Sequence, residues 1–257
     1  MIKLTSLVSP KTNVPTMFLI PGGPGLSSLT LRSLDILSRS FNLLYVDFHG
    51  TNGIPYTGKK TFEELSSELN KKIQNVTGAK FVLGHSYGGF FAGKAFVEGV
   101  VDGVVCVATP LSGHTLSIAS ENYRVHMTDS LAKAESQWNE SQDDKSFAEW
   151  LSEYGSLYFK NPKGKSLLLN DKVSAQLFKD NRSEAQFIEP LLALLANSNG
   201  KKVFISGGDD RLLMSENLKK DSDLGKFDFY EIENASHFVT FDQPERVASL
   251  IEDKLLN

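Results

Sequence analysis

The pentapeptide Gly84-His85-Ser86-Tyr87-Gly88 limits the folds open to this chain more than any other stretch. The short apolar run Phe81-Val82-Leu83 precedes it, and Phe90, Phe91, Ala95 and Phe96 follow at the spacing of a buried helix. A serine set between two glycines, at the junction of a strand and a helix, fits one sharp backbone turn. The glycines remove side-chain collisions from that turn and leave the hydroxyl exposed. Such a hydroxyl becomes a nucleophile only with a base to take its proton and amide donors for the charge that develops on the attacked oxygen. Five-residue patterns of Gly and Ser recur by chance, so the rest of the chain has to supply those partners.

The segments around the pentapeptide alternate in period. Met17 to Ile20 is apolar and ends at Pro21-Gly22-Gly23-Pro24-Gly25; a helical stretch follows from about Ser28 to Ser38. Asn42 to Val46 reads as the next strand, ending at Asp47. Thr61 has the character of an N-cap with Glu64 as its capping-box partner, and Phe62, Leu65, Leu69 and Ile73 recur at helical spacing behind it. Val100 to Ala108, Lys202 to Ser206 and Phe227 to Ile232 are further strand candidates, and a last helix starts at Gln243-Pro244-Glu245 with proline in its first turn. Strands and helices in alternation predict an α/β fold, with a mostly parallel central sheet flanked by helices.

That rhythm stops at about Ser112 and resumes after Ser198. The intervening residues are helical and strand-poor and contain both tryptophans, Trp138 and Trp150; Phe147, Trp150, Leu151, Tyr154 and Tyr158 fall on one helical face. The expected organisation is therefore an α/β core of residues 1–111 and 199–257 interrupted by a helical cap or lid, 112–198. About 85 residues is too long for a connecting loop and suits an accessory lid.

Composition narrows the partners. The sequence has 257 residues, with 27 Lys+Arg against 31 Asp+Glu, which leaves no basic footprint for nucleic acid. No apolar run approaches the roughly 20 residues that span a bilayer, and Met1 to Pro10 has no signal-peptide apolar region. The single cysteine, Cys106, lies in an apolar run and cannot form an intramolecular disulfide. Together these features point to a reducing, cytoplasmic setting and a buried, inert thiol.

The base is expected to be His237, in the loop Ala235-Ser236-His237-Phe238 before the final helix. His85 adjoins the serine in sequence, so on a sharp turn its side chain points away from it; His49, His114 and His126 lie elsewhere. The acid that orients the imidazole is sought at the end of the preceding strand candidate, in Gly207-Gly208-Asp209-Asp210. Asp210 fits the spacing Gly-x-x-Asp, Asp209 is the alternative, and a turn of this composition attracts aspartate for its own reasons. Thr109 to Thr115, after an earlier strand candidate, carries no carboxylate. For the oxyanion, one amide is expected from Tyr87 and another from the Gly22-Gly23 loop, where glycine lets the backbone approach a substrate. The order Ser86, Asp210, His237 is the order in which nucleophile, acid and base follow one another in one known hydrolase architecture. His85 and His237 have no Cys or Glu at ligand spacing, so no metal and no other cofactor is expected.

Oxyanion loop, serine turn, helical insertion, acid loop, histidine loop and C-terminal helix together resemble the α/β-hydrolase superfamily over the whole chain. Pro21-Gly22-Gly23-Pro24-Gly25 and Ser86-Tyr87-Gly88-Gly89 resemble its proline iminopeptidase branch, with Pro21 where that branch usually has histidine and with a shorter lid. The resemblance implies a cofactor-independent hydrolase that cleaves an ester or amide of a small molecule or short peptide through an acyl-enzyme. It also implies lid glutamates that hold a substrate ammonium; Glu184 and Glu189, beside Phe187-Ile188, are the candidates, whereas Glu149 and Glu153 read as a solvated face. Trp138 and Trp150 are candidates for an apolar pocket wall, or for packing of the lid against itself. Carboxylesterase or carbon–carbon bond hydrolase activity is the alternative, and a low-turnover ligand receptor on the same fold is a further one.

Overall fold

The computed structural model describes residues 1–257. Strand β1 (Lys3–Thr5) is short, and β2 (Thr16–Ile20) is buried along its whole length. The segment expected to be an ordinary helix is a 3-10 helix, Ser28–Arg39. Leu31, Leu34 and Leu37 in it are buried, and a repeat of three matches three residues per turn, which stacks one leucine over the next. Strand β3 (Asn42–Asp47) leads to helix α1 (Phe62–Gln74). Its capping box is present: Glu64 N donates to Thr61 Oγ1 at 3.2 Å, and Thr61 N donates to Glu64 Oε2 at 2.8 Å. Phe62, Leu65, Leu69 and Ile73 form its buried face.

Strand β4 (Lys80–His85) and helix α2 (Gly88–Val97) flank Ser86 and Tyr87, and β5 is Gly103–Val107. Six helices then follow without a strand: α3 (Gly113–Val125), α4 (Asp129–Ser141), α5 (Asp144–Ser152), α6 (Gly164–Leu169), α7 (Ala175–Asn181) and α8 (Ile188–Asn197). Ser112, Thr128, Asp143 and Ser174 each accept a hydrogen bond from a backbone N–H of the helix they start, which explains why the sequence breaks into helices there. Strand β6 (Lys201–Gly207), α9 (Ser215–Gly225), β7 (Asp228–Ile232), α10 (Val239–Asp242) and α11 (Pro244–Leu256) complete the chain. No helix is long and apolar enough to cross a membrane.

The seven strands lie in the order β1-β3-β2-β4-β5-β6-β7. Only β1 is antiparallel to its neighbour; the other pairs are parallel. One face is covered by α1, α2, α8 and α9, with Phe62, Phe91, Leu195 and Leu218 in the core, and the other by the 3-10 helix and α11, with Leu34, Val247 and Ile251. Burying each such side chain is worth about 1.5–3 kcal/mol. Parallel strands bring their C-terminal ends to one edge, so the loops after β2, β4, β6 and β7 meet there. The register sets Ile20 beside Gly84, which starts the Pro21–Gly25 loop against the serine turn.

The α3–α8 segment is fastened to this edge. The backbone N–H of Ser27 donates to Asp171 Oδ2 at 3.0 Å and the Ser27 hydroxyl donates to Oδ1; Ser174 N donates to Gly25 O at 2.8 Å. Burial pushes the Asp171 carboxyl up to about 6; hydrogen bonds from Ser27 oppose the shift, and the negative charge of Asp47 adds to it. The folded protein thus holds this proton more tightly than the unfolded chain. The stabilisation is fully present below the unfolded value of 3.8 and is lost as pH rises through about 6. Asp171→Asn is expected to remove that dependence: relative to wild type the variant gains about 1–3 kcal/mol between about pH 4 and about pH 7. Denaturant unfolding of both proteins across that range measures it, and parallel stability curves would refute it.

Candidate active site

Ser86 stands between β4 and α2 with a φ of +51°, the left-handed region that a non-glycine residue rarely occupies. The turn is held from both sides. Ser86 N donates to Val107 O at 2.7 Å, and Gly89 N donates to Ser86 O at 2.9 Å. A Cβ on Gly84 would lie 2.2 Å from the carbonyl oxygen of Gly88, and one on Gly88 would lie 2.4 Å from that of Pro21. Both flanking glycines are therefore required by close approach of backbone to backbone.

The Ser86 hydroxyl lies 3.1 Å from His237 Nε2, and His237 Nδ1 lies 3.0 Å from Asp210 Oδ2. A carboxylate only accepts, so Nδ1 carries the proton and Nε2 presents its lone pair to the serine. His237 and Asp210 are both buried. The second oxygen of Asp210 accepts from the backbone N–H groups of Leu212 at 2.9 Å and Leu213 at 3.0 Å, which fixes the carboxylate. Asp209, the alternative acid, faces outward and pairs with Lys160 at 3.0 Å. The chain reverses here, with Asp210 N bonded to Gly207 O, and adjacent residues in such a turn point to opposite sides. His85 is fully buried, and its ring nitrogen Nε2 meets the carbonyl oxygen of His237 at 3.0 Å. Burial, and the neighbouring His237, push its pKa down to about 3, so it stays neutral and donates to that carbonyl.

Gly23 has a φ of +121° and lines the cavity in front of Ser86, together with Tyr87. Gly22 lies behind the serine: a Cβ there would sit 3.2 Å from Ser86 Cβ. The backbone N–H groups of Gly23 and Tyr87 donate to no protein acceptor, as two amides reserved for a developing oxyanion would. Gly22 is thus placed to let the loop close on the serine rather than to line the cavity.

The cavity measures about 680 Å³ and is walled mainly by apolar and aromatic side chains of the α3–α8 segment, among them Leu116, Met127, Tyr154 and Ile188. Trp150 is on that wall, with its Nε1 donating to Tyr123 Oη at 2.9 Å. Trp138 is not; it is packed inside the segment, parallel to Trp150 at 6.0 Å and against Phe147. The packing of α4 on α5 turns it inward. Glu184 borders the cavity, but its Oε2 accepts from Phe62 N at 2.8 Å. Glu189 is exposed, and its Oε1 accepts from Gly113 N at 3.0 Å, so it serves the N-terminus of α3 rather than a substrate.

Among the cavity residues that the sequence did not single out are the polar or charged Tyr123, Arg124, Glu135 and Arg182. Nothing in their spacing marks them, because Tyr123 and Arg124 come from α3, Glu135 from α4 and Arg182 from the end of α7. Tyr154 and Tyr158 were assigned to the helical face of Trp150, yet α5 ends at Ser152 and Gly155 takes a φ of +50°. The chain turns there, and Tyr158 arrives against His237 instead.

The model of the family described as "Alpha/beta hydrolase family" matches residues 17–250. Among solved structures, the esterase RhEst1 from Rhodococcus sp. ECU1013 is 18% identical with a TM-score of 0.71, covering 98% of this chain and 92% of that one. A thermophilic esterase from Thermogutta terrifontis is 18% identical, with a TM-score of 0.70 and coverage of 100% and 92%. A structure from a study of carboxylesterases of the thaumarchaeon Nitrososphaera gargenis is 15% identical, with a TM-score of 0.75 and coverage of 99% and 94%. At these identities the likeness is one of fold. No curated protein matches the sequence.

Proposed function

This chain belongs to the alpha/beta hydrolase family, and from that premise we propose that it is a serine hydrolase acting on carboxylic esters of small, largely apolar molecules. The observation that carries the reading is the line of contacts Asp210–His237–Ser86, at 3.0 and 3.1 Å, ending on a hydroxyl that faces an apolar cavity. The solved structures described as esterases support the choice of bond.

In this reading Ser86 Oγ attacks the ester carbonyl while its proton passes to His237 Nε2. Asp210 keeps the imidazole in the accepting tautomer and stabilises its charged form. The amides of Gly23 and Tyr87 receive the negative oxygen of the tetrahedral intermediate. As that intermediate collapses, the bond to the alcohol oxygen breaks and the alcohol leaves with the proton from His237. A water molecule then gives a proton to His237 and attacks the acyl carbon; the bond from that carbon to Ser86 Oγ breaks as His237 returns the proton to Oγ, which releases the carboxylic acid and restores the serine. Buried Asp210 and half-buried Ser86 lie 3.0 and 3.1 Å from the imidazole, so little reorganisation is needed during the step.

The amide reading, aminopeptidase action on short peptides, has Glu184 at the cavity in its favour. Esters rank first because Glu189 lies outside the cavity and one oxygen of Glu184 is already occupied by Phe62 N. Aryl esters of short and medium acyl chains, assayed beside aminoacyl aryl amides with a free α-amine, separate the two. Turnover of the esters alone is expected, and turnover confined to the amides would overturn the proposal.

A further inference from the structure

His237 has a neighbour whose role the proton relay leaves open. The Tyr158 ring lies against the imidazole with centroids 5.3 Å apart and planes within 22° of parallel. The other nearby rings are canted: His85 is at 5.1 Å and 54°, and Phe238 is at 5.9 Å and 79°. Tyr154 stacks behind Tyr158 at 4.3 Å and 25°, which supports that ring from the far side. The backbone is fastened as well. Phe238 N donates to Tyr158 O at 2.8 Å, and the Ser236 hydroxyl donates to Leu157 O at 3.3 Å. Lys160 N and Asn161 N both donate to Asp242, each at 2.9 Å. The residues on either side of His237 are thus tied to Tyr158 and to Leu157 before it.

We infer that Tyr158 is a positioning residue of this site, holding the His237 ring for Ser86 and presenting its π face to the imidazolium that forms when the serine proton is taken. The inference rests on the serine hydrolase reading. The other groups around His237 leave that face to the tyrosine. Asp210 meets the ring at its Nδ1 edge, His85 is neutral, and Lys160 is paired with Asp209 on the exposed side. The oxygens of Asp242 accept from the backbone of Ser236, Lys160 and Asn161. Burial keeps the Tyr158 hydroxyl protonated, with the charges of Tyr123 and Asp210 adding to the effect, so the ring is a neutral phenol. A desolvated cation over an aromatic face is attracted by the ring quadrupole. The cation exists only after the proton has moved, so the attraction lowers the barrier without tightening substrate binding.

The test changes the face while keeping its shape. Tyr158→Phe should retain kcat within about twofold, and a series of increasingly fluorinated phenylalanines at 158 should lower it stepwise to about one tenth, since fluorine withdraws charge from the ring face. KM and the melting temperature should hold across the series. Tyr158→Leu should lose about tenfold or more in kcat; if that variant fails to fold, the fluorinated series still decides. An unchanged kcat along the series would overturn the inference and leave the hydrolase reading intact. Turnover that survives Ser86→Ala would overturn that reading first, whatever the tyrosine does.

Discussion

Ser86→Ala is expected to lower ester turnover on the order of 10⁶-fold and to abolish covalent labelling by a fluorophosphonate. The size follows from the geometry. The hydroxyl lies 3.1 Å from the one imidazole placed to take its proton, and the neighbouring His85 is held neutral with its Nε2 engaged by a carbonyl. No second nucleophile is present beside it: Cys106 is fully buried, and burial pushes its thiol up to about 12. Alanine takes the same backbone position as serine, so the fold should survive, which equal melting temperatures would check. Mass spectrometry of the labelled protein should place the adduct on the Ser86 peptide. Rates that stay within tenfold of wild type in the alanine variant would end the covalent mechanism. A wild-type protein that takes no label, but is stabilised by a ligand, would favour the receptor alternative.

The sheet and the serine turn were legible in the sequence because both are local. Phe81-Val82-Leu83 into Gly84 is a strand meeting a turn that only small residues allow, and the Cβ clashes at Gly84 and Gly88 give that requirement its physical form. Helix α1 announced itself through Thr61 and Glu64, whose reciprocal hydrogen bonds need nothing from the rest of the chain. The choice between Asp209 and Asp210 was harder, since adjacent aspartates in a Gly-Gly turn have the same composition and differ only in which side of the chain they face. The α3–α8 segment was the least legible part. A left-handed Gly155 ends the helical register that linked Trp150 to Tyr158, and tertiary packing turns Trp138 inward. Glu189 illustrates the same limit: a carboxylate beside apolar residues reads as a substrate ligand until Gly113 N is found at its oxygen. Arg124 from α3, Glu135 from α4 and Arg182 from the end of α7 line one cavity, and no single-helix pattern could have joined them.

The two aspartates give the second large effect. Asp210→Asn should cost roughly 10³–10⁴-fold in kcat with little change in KM, whereas Asp209→Asn should stay within about threefold of wild type. The asparagine oxygen can still accept from Leu212 N and Leu213 N, so the loop keeps its shape. Its amide nitrogen then faces His237 Nδ1 and donates to it. The imidazole proton moves to Nε2, which can no longer accept from Ser86, and the imidazolium loses the carboxylate that stabilises it. Asp209 meets only an exposed Lys160, and a surface pair of that kind contributes about 0–1 kcal/mol to stability. Steady-state kinetics of both variants on one aryl ester, beside their unfolding curves, separate the roles. Comparable losses in the two variants, or the larger loss at Asp209, would mean that the carboxylate 3.0 Å from Nδ1 does not orient the base.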